Sequence, residues 1–162
     1  MDSEALLQTH AEVAIALAGF ASVIAALGRP LSPFARQRFF SLLSLSLIQI
    51  VGCLLPLWIL HLVESPSAGW RLLSAILLAL SAARMWWLIV VPTRTLGAEV
   101  LRVLHPAVNR FIYPAFILSS ALLALNVIGV GFRPNFDVYY FALLTNLLAG
   151  FALFADVATR ES

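Results

Sequence analysis

Residues 4–28 read EALLQTHAEVAIALAGFASVIAALG, and the reading of this stretch decides the fold. At 3.6 residues per turn, Glu4, Gln8, Ala11, Glu12, Ala16, Gly19, Ser22 and Ala26 fall on one side of a helix. Leu6, His10, Val13, Leu17, Phe20 and Ile24 fall on the other. The first side is mostly small and polar, interrupted by Ile15 and Val23, and the second is mostly greasy. In water this pattern is an ordinary amphipathic helix. The rest of the chain argues for little water around it.

Hydrophobic residues make up 62% of the 162 residues and charged residues 11%. A soluble domain carries about 25% charged residues. The composition therefore predicts an integral membrane protein, a single domain over residues 1–162 with no room for a soluble one. The net charge of +2 argues against nucleic acid as a partner. The chain opens with Asp2 and Glu4, and its first arginine is Arg29, so the first apolar stretch is expected to stay in the mature protein. Cys53 lies in an apolar run and reads as a buried, inert thiol.

Five stretches are apolar enough to cross a bilayer: Leu6–Gly28, Phe39–Val63, Ala68–Val91, Phe111–Val130 and Val138–Val157. The expected fold is all-α, a polytopic membrane helical bundle of five transmembrane helices. Four spans plus a surface-lying first helix is the alternative, but such helices usually carry Lys or Arg on the polar face, and this one carries Glu12. Arg29, Arg36 and Arg38 fill the first connection and Arg94, Arg102 and Arg110 the third, against Arg71 and Arg133 in the second and fourth. Basic connections face the cytoplasm, which predicts N-out and C-in. Trp58, Trp70, Tyr139 and Tyr140 are expected near the outer boundary, where an apolar ring with a polar tip is at home. The third connection, residues 92–109, contains a pattern from Leu96 to His105 that reads as a short interfacial helix stopped by Pro106.

Polar groups inside a membrane are costly and usually face a bundle interior or a water-filled cavity. The first helix presents Gln8, Glu12, Ala16, Gly19, Ser22 and Ala26 as a pore or helix-packing face. Glu12 has two readings, a functional carboxylate or a headgroup-level residue on a helix shifted outward. Ala14, Ala18, Ser22 and Ala26 form a small-x-x-x-small series that lets helices approach closely, within the chain or between copies. The other intramembrane polar residues are Gln49, Arg84, Asn126, Asn146 and Asp156. The amides read as hydrogen-bonding glue between helices. Arg84 either snorkels to the inner headgroups or pairs with Asp156, its best match in depth. Pro56 and Pro114 are expected to free carbonyls in their helices. His10, Glu12, His61 and Glu64 are potential metal ligands, but His10 and Glu12 lie nearly opposite on their helix, and no metal or cofactor is expected.

No Gly-rich phosphate loop, Cys-x-x-Cys, His-Glu-x-x-His or Gly-x-Ser-x-Gly is present, and no catalytic residue or enzymatic activity is expected. The run Ala11–Ile24, followed by Arg29, resembles the opening helix of small bacterial inner-membrane proteins. That resemblance implies a multi-pass protein of the bacterial inner (plasma) membrane and nothing catalytic. The functional expectation is a homo-oligomer in the lipid bilayer with an ion-conducting pore lined by helix 1. One alternative is an accessory or scaffold subunit that binds a membrane or cytoplasmic protein partner. Another is a small transporter or membrane enzyme with a site near Gln49, Asn146 and Arg84.

Overall fold

The computed structural model describes residues 3–27, 33–96, 106–129 and 133–160. Among these there are five helices: α1 Ser3–Leu27, α2 Pro33–Leu62, α3 Pro66–Leu96, α4 Pro106–Ile128 and α5 Phe136–Arg160. Their boundaries follow from local chemistry. Pro33, Pro66 and Pro106 each stand first in a helix, where a fixed φ is preorganised and the missing N–H costs nothing. α4 ends at Gly129, whose φ of 71° suits a residue without a Cβ, and its N–H closes the last turn on the Leu125 carbonyl at 2.8 Å. Asn135 caps α5, its Oδ1 accepting from the Val138 N–H at 3.1 Å.

Four helices contain stretches long and apolar enough to cross a membrane: Ser3–Val23, Phe39–Leu62, Pro66–Trp87 and Phe136–Ala155. The described apolar stretch of α4, Tyr113–Ile128, is shorter. α1 lies within the bundle. His10 meets Gln49 on α2, and further along Ala21 packs with Leu42 of α2 and Leu153 of α5. These levels make α1 antiparallel to α2 and parallel to α5, rather than laid across one end as a surface helix. α3 runs on to Leu96 and α4 starts at Pro106, so the third connection is shorter than residues 92–109. The interfacial helix expected there falls largely on residues 97–105, outside the described residues.

The helices form a ring in chain order, each packed on the next and α5 closing against α1, with α2 also meeting α5 across the centre. All five contribute to one core: Leu7 and Ala11, Cys53, Trp70 with Leu73 and Leu77, Leu123, and Tyr139 with Ala142 and Leu143. Trp70 and Tyr139, expected near the outer boundary, stand close to the starts of α3 and α5 and turn inward to the core. Trp70 is buried against Phe136 and Tyr139, each with ring centroids 5.5 Å away, and Tyr139 is fully buried. The Tyr139 hydroxyl donates to the Gly52 carbonyl at 2.6 Å. Pro56 explains this bond. It has no N–H to offer the carbonyl four residues back, so that carbonyl is left for a side chain. Trp58 does face outward.

Candidate functional site

The side of α1 that turns inward is Leu7, His10, Ala11, Ala14, Leu17 and Ala21. This stripe cuts across the two sides read from the sequence. Ala11 leaves the small, polar side, while Phe20, from the greasy side, is 63% exposed. Lipid is as apolar as a protein core, so burying Phe20 in the bundle gains little, whereas small residues let the backbones approach. Of the small-x-x-x-small series, Ala14 is buried, Ala18 half-buried and Ser22 exposed. Ser22 returns its hydroxyl to the Ala18 carbonyl of its own helix at 2.8 Å.

Gln8, Glu12, Ala16, Gly19 and Ser22 are all exposed on the outside of the bundle. They stay together on one face, and among the described residues that face is left uncovered. A Cβ built on Gly19 meets no atom within 4 Å. Gln8 donates to the Glu12 carboxylate at 3.2 Å along the same face. The side chain of Ala26 lies outside the described residues.

His10 sets the depth of this face. One of its ring nitrogens, Nε2, lies 2.9 Å from Gln49 Oε1, with both side chains buried. Gln49 sits ten residues from Phe39 and thirteen from Leu62, so it is about 15 Å and 20 Å from the two ends of that span. Leu17 and Leu45 both approach Gly150, which brings α1 and α2 level again lower down. Glu12 therefore lies between the levels of Gln49 and Leu45, near the middle of the apolar span. Along the bundle it is away from either end.

The sequence placed His10 on the greasy side of its helix and weighed it only as a potential metal ligand; the structure pairs it with Gln49. Its ring also meets Tyr140 edge-on at 5.7 Å, yet its Nδ1 and the Gln49 Nε2 are buried without hydrogen-bond partners. The spacing of polar residues gave each half of this pair, but only the register between α1 and α2 joins them.

Two further amides behave as glue. Asn126 donates to Ser74 Oγ on α3 at 2.8 Å and exchanges hydrogen bonds with the Asn135 backbone at 3.1 and 3.0 Å, fastening α4 to α3 and to the start of α5. Asn146 donates to Ser119 Oγ at 2.8 Å, and that hydroxyl donates to the Ala142 carbonyl at 3.2 Å. Arg84 turns into the bundle. Its Nε donates to Ser44 Oγ and its Nη2 to both Ser41 O and Ser41 Oγ, each at 3.0 Å. These two serines went unremarked in the sequence, where an arginine calls for a carboxylate. The Asp156 side chain lies outside the described residues. Among the described residues no three of His, Cys, Asp and Glu gather, and His61 and Glu64 are exposed at the far end of α2 from Ser44.

No protein-family model, curated protein or solved structure matches this chain. The class rests on the bundle itself: an all-helical fold with four helices long and apolar enough to cross a membrane, the architecture of a membrane protein.

Proposed function

We propose that the protein is a homo-oligomer of the bacterial inner membrane in which copies meet through the outer face of α1, and that Glu12 lines a cation path at the shared axis. The observation that carries this reading is the position of Glu12, exposed on the bundle surface yet level with the buried Gln49. In a lipid-surrounded monomer that carboxylate and Gln8 face hydrocarbon, where ionisable residues are rarely tolerated. A second copy presenting the same face supplies polar company. The small residues Ala16, Gly19 and Ser22 let the helices come close enough to hold it. A ring of carboxylates favours cations. A chain of 162 residues has little room for a private cavity, which makes a symmetry axis the economical place for a water-filled route.

The test combines native mass in lipid nanodiscs with conductance in planar bilayers. An oligomer whose cation current is lost or changed in Glu12→Ala is expected. A monomer, or a current indifferent to Glu12, overturns the reading, and co-purification of a stoichiometric foreign membrane helix replaces it with a subunit role.

A further inference from the structure

Arginines gather at one end of the bundle, where the apolar spans stop. The bonds from Arg84 to Ser41 and Ser44 set the level of α3 against α2. The two helices run antiparallel, so Trp86 and Trp87, just past Arg84, stand level with the start of the α2 span at Phe39 and Phe40. The α3 span ends at that same level, at Trp87. Arg36 and Arg38 lie within one turn before Phe39 on α2, and Arg94 lies about two turns beyond Trp87 on α3. Arg110 precedes the apolar stretch of α4, and Arg160 follows the span of α5, both at this end. Among the described residues this end therefore carries these five arginines besides Arg84 and a single carboxylic acid residue, Asp156. The opposite end carries Arg71 and Arg133 against Glu4, Glu64 and Asp137.

We propose that this end of the α2–α3 pair is a binding surface for anionic phospholipid, its headgroup phosphate on the arginines that flank the two spans and its acyl chains against Trp86 and Trp87. The arginines begin within one turn of the apolar boundary, the level at which headgroups lie. Trp86 and Trp87 are exposed at that boundary, and an indole there packs its ring on acyl chains while its N–H meets the headgroup region. A guanidinium matches a phosphate with two parallel hydrogen bonds, which suits arginine to this ligand. The excess of positive charge selects an anionic headgroup over a zwitterionic one, whose own ammonium opposes the arginines. The surface lies on α2 and α3, apart from the outer face of α1, so lipid selection is independent of how copies associate.

The experiment reads tryptophan fluorescence of the full chain in phosphatidylcholine vesicles, with brominated phosphatidylglycerol or brominated phosphatidylcholine as the quencher. Two variants separate the ends. Trp58→Phe leaves Trp86 and Trp87 as the exposed reporters, since Trp70 is buried. Trp86→Phe with Trp87→Phe leaves Trp58 as the exposed reporter towards the opposite end. At Trp86 and Trp87, brominated phosphatidylglycerol is expected to reach half-quenching at about one-fifth of the mole fraction that brominated phosphatidylcholine needs, the preference that one arginine contact supplies. High salt is expected to shrink that preference, and changing Arg36→Gln, Arg38→Gln and Arg94→Gln together is expected to abolish it. Trp58 is expected to show none. Equal quenching by the two lipids at Trp86 and Trp87 overturns the proposal and leaves the arginines to an acidic protein partner. The same preference at Trp58, or one that survives the three glutamines, overturns it too. The salt comparison keeps every arginine, so a preference indifferent to salt overturns the proposal even where the triple variant does not fold.

Discussion

Pro56 shows how one missing hydrogen is answered from another helix. The Gly52 carbonyl loses its helical donor, and Tyr139 supplies a hydroxyl at 2.6 Å from the fully buried middle of the core. Hydrogen bonds of this kind in membranes contribute about 1 kcal/mol. Tyr139→Phe is therefore expected to destabilise the fold by about that much in reversible denaturant unfolding. The informative comparison is the same change in a Pro56→Ala background. Alanine restores an N–H four residues after Gly52, so the carbonyl no longer depends on Tyr139, and the cost of Tyr139→Phe is expected to shrink. An equal cost in both backgrounds would show that the Tyr139 hydroxyl contributes independently of the N–H that Pro56 lacks. The freed carbonyl was legible in the sequence, because the position of a proline in a helix is enough to predict it. The tyrosine that answers it was not, since Gly52 and Tyr139 are 87 residues apart and nothing local links them.

At the level of a helix, the two glycines Gly19 and Gly52 separate the inside of this bundle from its outside. A Cβ on Gly52 meets Leu143 Cδ2 at 2.8 Å and Leu77 Cδ1 at 3.2 Å, and both leucines are fully buried with little freedom to give way. Gly52→Ala is expected to cost about 1–3 kcal/mol of stability through overpacking. Gly19 faces open space within its own chain. Gly19→Leu is expected to leave the stability of the fold unchanged, while a bulky side chain on the proposed contact face lowers the native mass to that of a monomer. A Gly19→Leu protein that keeps its oligomeric mass would place the contact elsewhere. The helical period was enough to group Gln8, Glu12, Ala16, Gly19 and Ser22 on one face. It was not enough to say what that face meets, because a period gives angles around one helix and no information about its neighbours. The same limit explains Phe20, which turns outward although the sequence puts it on the greasy side. Hydrophobicity separates core from surface only where water is the alternative.

For the whole molecule, the apolar runs were sufficient to place five helices to within a few residues, because runs of that length in a chain this poor in charge have few other uses. The aromatic residues suggested a depth but not which way each ring turns. Trp58 faces outward, but Trp70 and Tyr139 build the core, since a ring with a polar tip suits a buried hydrogen bond as well as an interface. The direction of insertion rests on the arginines alone. Arg29, Arg36 and Arg38 around the junction of α1 and α2 and Arg94, Arg102 and Arg110 around the junction of α3 and α4 outweigh Arg71 and Arg133 on the opposite side, which predicts the Ser65 turn outward and Arg94 inward. Cysteine labelling checks this cleanly because Cys53, the one native thiol, is 1% exposed and should stay silent to an impermeant maleimide. Ser65 and Arg94 are both exposed, so a cysteine at either site is open to reagent on its own side. Ser65→Cys is expected to label in intact cells and Arg94→Cys only after the membrane is opened. The reverse pattern would invert the bundle and would put Arg84 and its serine partners, at the Ser41 end of α2, in the outer half of the membrane.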